Sequence, residues 1–64
     1  MDGTKLIKKL LVEENINGVE LAKRLGCRAS NVYNKFNRNN LTLNDIEKMA
    51  AVIGYRTEIN FIKK

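Results

Sequence analysis

A chain of 64 residues with a formal net charge of +5, one cysteine and no histidine is expected to form a single small domain that buries only about 60% of its unfolded surface. One thiol allows neither an internal disulfide nor a zinc site, so association with a second subunit is the supplement left open to a thin core. No stretch approaches the ~20 apolar residues of a membrane span and no secretory signal pattern is recognisable, so a cytoplasmic, reducing setting is expected.

Along the chain, Leu6, Ile7, Leu10 and Leu11 recur at helical spacing, with Lys5, Lys8, Lys9, Glu13 and Glu14 as a wet face. Asp2 or Thr4 is positioned to cap this first helix, which should stop near Asn15. Asn17 offers the next N-cap, with Glu20 three positions on as in a capping box, and Ile16 and Leu21 have the spacing of a hydrophobic staple. The second helix is therefore predicted over residues 18–25, with Gly26 taking the left-handed conformation that ends it. Cys27 reads as a small core residue of the turn. A third helix is predicted over 29–37, with Val32 and Phe36 one turn apart on its inner face, and the polar run 37–40 as a loop. Thr42 and Asp45 supply a second cap pair and Leu41 with Ile46 a second staple. The fourth helix then carries Leu43, Ile46, Met49, Ala50 and Ile53 as an apolar stripe up to Gly54.

From Tyr55 the period changes. Tyr55, Thr57, Ile59 and Phe61 alternate with Arg56, Glu58, Asn60 and Ile62, the pattern of a β-strand over 55–62. A lone strand needs a partner. Antiparallel pairing of this strand across a two-fold axis is the expected dimer contact, with Tyr55, Thr57, Ile59 and Phe61 in the interface.

Charge is distributed unevenly. Lys23, Arg24, Arg28, Lys35 and Arg38 fall in residues 23–38 without any acid, and this window holds the whole net excess. Confined basic charge favours a polyanionic partner. Lys23 and Arg24, on the second helix, are expected to be solvated. Two short helices joined by a glycine-containing turn describe a helix-turn-helix over 18–37. Ala22 permits close crossing of the helices, Gly26 supplies the turn, and Val32 anchors the third helix, with Leu21, Leu25 and Phe36 completing the apolar inside.

The segment 18–37, GVELAKRLGCRASNVYNKFN, resembles the phage lambda-repressor and Cro-like helix-turn-helix family. With the flanking helices the likeness covers roughly residues 4–54. It implies a mainly α, four-helix lambda-repressor-like domain that binds operator DNA as a dimer, in a protein of phage or bacterial type. Two positions depart from the family. Gly18 stands where a Gln often contacts the DNA backbone, and Arg28 stands where Ser or Thr usually precedes the third helix.

With the third helix in the major groove, Arg28, Ala29, Ser30, Tyr33 and Asn34 are the expected base-contacting residues. Arginine suits guanine, asparagine suits adenine, and an alanine methyl suits the thymine methyl. Asn17, Gly18, Asn31, Lys35, Asn37, Arg38, Asn39 and Asn40 are the expected DNA-backbone contacts. The partner is expected to be double-stranded DNA with a palindromic operator, and the protein a homodimeric transcriptional regulator, a repressor by preference. An antitoxin-like protein-interaction module with the same fold is the alternative. Without histidine, an apolar carboxylate pair or a phosphate-cradling loop, no enzyme activity, cofactor, metal or small-molecule ligand is expected.

Overall fold

The carboxylate of Asp2 accepts the Lys5 N–H at 3.1 Å, and from that cap helix α1 runs Gly3–Glu13. The computed structural model, which describes residues 2–64, continues with α2 (Gly18–Leu25), α3 (Ala29–Arg38) and α4 (Leu43–Ile53). Asn17 Oδ1 caps α2 by accepting the Glu20 N–H at 2.9 Å. The reciprocal half of the expected box is not made, because the Glu20 carboxylate accepts from Arg24 Nε instead, at 3.2 Å. Arg28 has no acceptor to offer, and α3 begins without a side-chain cap. At α4 both halves form: Thr42 Oγ1 accepts from Asp45 N–H at 3.0 Å, and the Asp45 carboxylate accepts from Thr42 N–H at 3.1 Å.

All four helices stop in the same way. Asn15 (φ 55°), Gly26 (φ 75°), Asn39 (φ 49°) and Gly54 (φ 111°) adopt left-handed conformations. At each stop two amides turn back onto the last-turn carbonyls: Ile16 and Asn15 onto Leu11 and Val12, Cys27 and Gly26 onto Ala22 and Lys23, Asn40 and Asn39 onto Lys35 and Phe36, and Tyr55 and Gly54 onto Ala50 and Ala51. This paired pattern satisfies carbonyls that a helix end leaves orphaned. The asparagine at position 39 carries α3 one residue further than expected, so residues 37 and 38 belong to the helix rather than to a loop.

Packing joins α2 to α3, α1 to α4, and α2 to α4. Ile7, Leu21 and Ala22 are fully buried and Val32 almost so, and Leu11, Phe36, Ile46, Met49, Ala50 and Ile53 close around them. Two residues of the expected apolar faces, Leu6 and Leu43, lie nearly half exposed. Both stand at the margin of their helix's buried stripe. No described helix is long and apolar enough to cross a membrane.

Two expectations are corrected. The C-terminal β-strand does not form: among the described residues there is no strand at all, and 55–64 has no regular secondary structure. The alternation is real for four residues, Tyr55 and Thr57 being half-buried while Arg56 and Glu58 are exposed. Those residues lie along the seam of α1 and α4, where Tyr55 packs on the core and donates its hydroxyl to Glu14 at 2.9 Å. The segment thus folds back on its own domain. Among the described residues no strand is present to supply the hydrogen bonds that such a segment requires, and beyond Glu58 the side chains of Ile59, Phe61 and Ile62 are exposed. The radius of gyration of 12.0 Å, above the ~10.7 Å of a compact domain this long, fits a projecting tail. Tyr55 and Thr57 therefore make contacts within their own domain and are not strand positions. Cys27 is the second correction. It is exposed, because the turn that Gly26 makes puts the following residue outside.

A methyl group added at Gly26 meets no atom within 4 Å, so its cost is conformational alone. Gly26→Ala should destabilise the domain by about 1–2 kcal/mol, a fall of roughly 4–8 °C in Tm per kcal/mol for a domain of this size. Phe61→Ser should leave the melting temperature almost unmoved in the same calorimetric measurement.

Candidate nucleic-acid interface

The turn between α2 and α3 has three residues, 26–28, which places α3 directly across α2 with Val32 and Phe36 turned into the core. Ser30, Asn34 and Asn37 therefore fall on the outer face of α3, and all three are exposed. Arg28 stands exposed just before the helix, and Arg38, Asn39 and Asn40 are exposed at its far end. Seven of the sequence-nominated residues thus form one continuous polar strip from the turn, along α3, to the loop that follows. The others depart from it in instructive ways.

Ala29 is only partly exposed and packs against the core, so its methyl group serves the α3 base more than the outer face. Asn31 lies on the α4 side, beside a groove also lined by Lys35 and Asp45. Lys35 reaches that way too, its Nζ donating to Asp45 Oδ1 at 2.8 Å, with the aspartate side chain only 19% exposed. Asn17 is occupied as the cap of α2. Gly18 is buried under the ring of Tyr33: a Cβ built on it would stand 2.8 Å from Cε1 and Cζ and 2.9 Å from the hydroxyl oxygen. Tyr33 is accordingly displaced to the flank of α3 that faces α1 and α2.

The basic window divides once it is folded. Arg24 is paired with Glu20 and its guanidinium donates to the Val52 carbonyl at 3.1 Å, so it joins α2 to the end of α4 instead of being merely solvated. Lys35 joins α3 to the start of α4. Lys23, Arg28 and Arg38 take part in none of the described ion pairs. The unpaired charge of the motif is thus carried by Lys23 on α2 and by the two arginines that bracket α3. Sequence reasoning missed one further cation. Lys8, taken as part of a wet face, sets its Nζ 5.7 Å from the centroid of the Phe36 ring, within cation–π range, and lies beside Tyr33 and Asn37. Its spacing from Leu11 on α1 gave the only hint, since i and i+3 residues share a side of a helix.

Among the described residues no group of three or more metal-ligating side chains exists. Set against known proteins, the chain matches no family model, no curated protein and no solved structure.

The Asp45 carboxyl is held below the usual carboxylate range, first because Lys35 donates to it and further because Thr42 does, against a partial desolvation that acts the other way. A lowered folded pKa contributes stability that is present above the ordinary carboxylate value and is lost as pH falls through the lowered one. Asp45→Asn should therefore lower stability at pH 7 by up to about 1 kcal/mol, discounted for the exposure of Lys35. It should also flatten the acid limb of a plot of Tm against pH below about 4. An acid limb unchanged by the substitution would remove this pair from the account.

Proposed function

We propose that this protein is a sequence-specific DNA-binding regulator that inserts α3 into the major groove. The observation that carries the proposal is the surface of α3: Arg28, Ser30, Asn34, Asn37 and Arg38 are exposed together, and no acidic residue occurs between positions 21 and 44. An exposed helix with hydrogen-bonding side chains and unpaired cations, held across a second helix by a three-residue turn, has the form that base readout requires. The resemblance of residues 18–37 to the lambda-repressor and Cro-like family supports the same reading.

Arg28, Ser30 and Asn34 are assigned to base edges. Arginine presents two donors to guanine O6 and N7, asparagine a donor and an acceptor to adenine N6 and N7, and serine suits several edges. Arg38 with Asn37, Asn39 and Asn40 is assigned to phosphates at the end of α3. Lys35 is left out of that set, since its ammonium group is engaged by Asp45. Binding as a homodimer to a palindromic operator in the cytoplasm, with repression as the outcome, belongs to the same proposal.

Selection of bound sequences from a random DNA pool, followed by salt titration, tests the proposal. The unaltered protein should prefer the selected duplex to random DNA by about a thousandfold or more. Asn34→Ala should cost about 1–3 kcal/mol on the selected site and relax the preference at one base pair. Arg38→Ala should weaken selected and random duplexes alike and reduce the slope of log affinity against log salt by about one. Failure to bind any duplex at low salt would refute DNA binding and leave the fold to protein recognition.

A further inference from the structure

We infer that Gly18 and Tyr33 work as a pair: the missing side chain at the start of α2 seats the Tyr33 ring on the flank of α3, which makes Tyr33 a contact to the DNA backbone and withdraws it from base reading. The inference rests on the DNA-binding reading above and changes the assignment of one residue within it.

The geometry leaves little freedom. Three atoms of the Tyr33 side chain, Cε1, Cζ and the hydroxyl oxygen, lie within 2.9 Å of where a Cβ on Gly18 would be. The space of the absent side chain is thus taken up by the far end of the tyrosine, and Gly18 is buried beneath it. Tyr33 itself stays 43% exposed although the far end of its side chain lies over Gly18. Ser30, Asn34 and Asn37 occupy the outer face of α3, so Tyr33, one position before Asn34, stands at its side. An aromatic ring lying along the flank of a recognition helix meets the sugar–phosphate wall of the groove before it meets a base edge. The Lys8 ammonium lies on that same flank, with Asn37 at its other end. A phosphate there would meet a hydroxyl donor from α3 and a cation from α1, neither of which distinguishes one base from another. The ligand chemistry is a phosphodiester oxygen of duplex DNA.

The pairing also accounts for glycine at position 18. Any larger residue must displace the ring, and a ring moved toward the outer face of α3 would come among the base-reading side chains. The glycine therefore governs which residues read sequence, although it makes no base contact.

The test compares Tyr33→Phe, Gly18→Ala, Tyr33→Ala and the double variant Gly18→Ala/Tyr33→Ala with the unaltered protein. Each is measured on a selected and a random duplex, with circular dichroism confirming that each variant is folded. Tyr33→Phe keeps the ring and removes the donor. It should weaken both duplexes by the same factor, about tenfold or more for one hydrogen bond to a charged acceptor, with the base preference unchanged. Gly18→Ala should weaken binding and also shift the base preference, and in the Tyr33→Ala background it should have little further effect, because the two residues act as a unit. A Tyr33→Phe loss confined to the selected duplex, no loss at all, or independent effects of Gly18→Ala and Tyr33→Ala would each overturn the pairing while leaving DNA binding in place. Absence of binding by the unaltered protein would overturn both together.

Discussion

Each of the four helices is stopped by one residue in the left-handed conformation, and everything else in the domain depends on those four reversals. A chain this short cannot surround long helices with a core, so it must turn often, and each turn leaves carbonyl groups without partners. Asn15, Gly26, Asn39 and Gly54 solve both problems at once, because the same backbone angle that reverses the chain brings two amides onto the last carbonyls. At α1 and α4 the reversal also delivers an apolar residue, Ile16 or Tyr55, to the core. With the ends fixed, Ile7, Leu21 and Val32 meet in the middle, and the orientation of α3 follows from the length of the turn before it.

Around that core the polar contacts have separate tasks. Arg24 to Val52, Lys35 to Asp45 and Tyr55 to Glu14 each join α4, or the residue after Gly54, to an earlier helix. They lie away from the outer face of α3. Each is partly exposed, so none contributes more than modestly to stability. Their effect is to set α4 behind the helix-turn-helix and to engage two of the five basic side chains of the central window internally. What remains unpaired is a smaller charge, Lys23 on α2 and Arg28 and Arg38 at the two ends of α3, with amide and hydroxyl groups between the arginines.

Most of the helical frame was legible from residues 2 to 54. Asn17 and Thr42 were identifiable as caps, Gly26 and Gly54 as stops, and α2 has the bounds that its signals imply. Asparagine is a weaker indication than glycine, and so the stop at Asn39 and the extra residue of α3 were not read. The alternation after Gly54 describes half-burial correctly as far as Thr57, yet period two reports only which side faces inward. It does not report whether a neighbouring strand exists, and none does among the described residues. The destinations of Arg24, Lys35 and Lys8 depend on residues distant in sequence, which no local pattern encodes. Gly18 and Tyr33 are fifteen positions apart, and only the folded crossing of α2 and α3 reveals that one is shaped to receive the other.

The seam between α1 and α4, held at its end by Tyr55 and Glu14 across 41 residues, has a kinetic meaning as well as a structural one. The α2–α3 pair associates neighbours in the chain, whereas joining α1 to α4 closes a loop that contains the whole helix-turn-helix. The entropy of such a closure grows only with the logarithm of loop length. With no sheet to assemble, the domain belongs to the low-contact-order class that folds in microseconds to milliseconds. Helix α3 is therefore built from local contacts, and the long-range seam is the step that locks it.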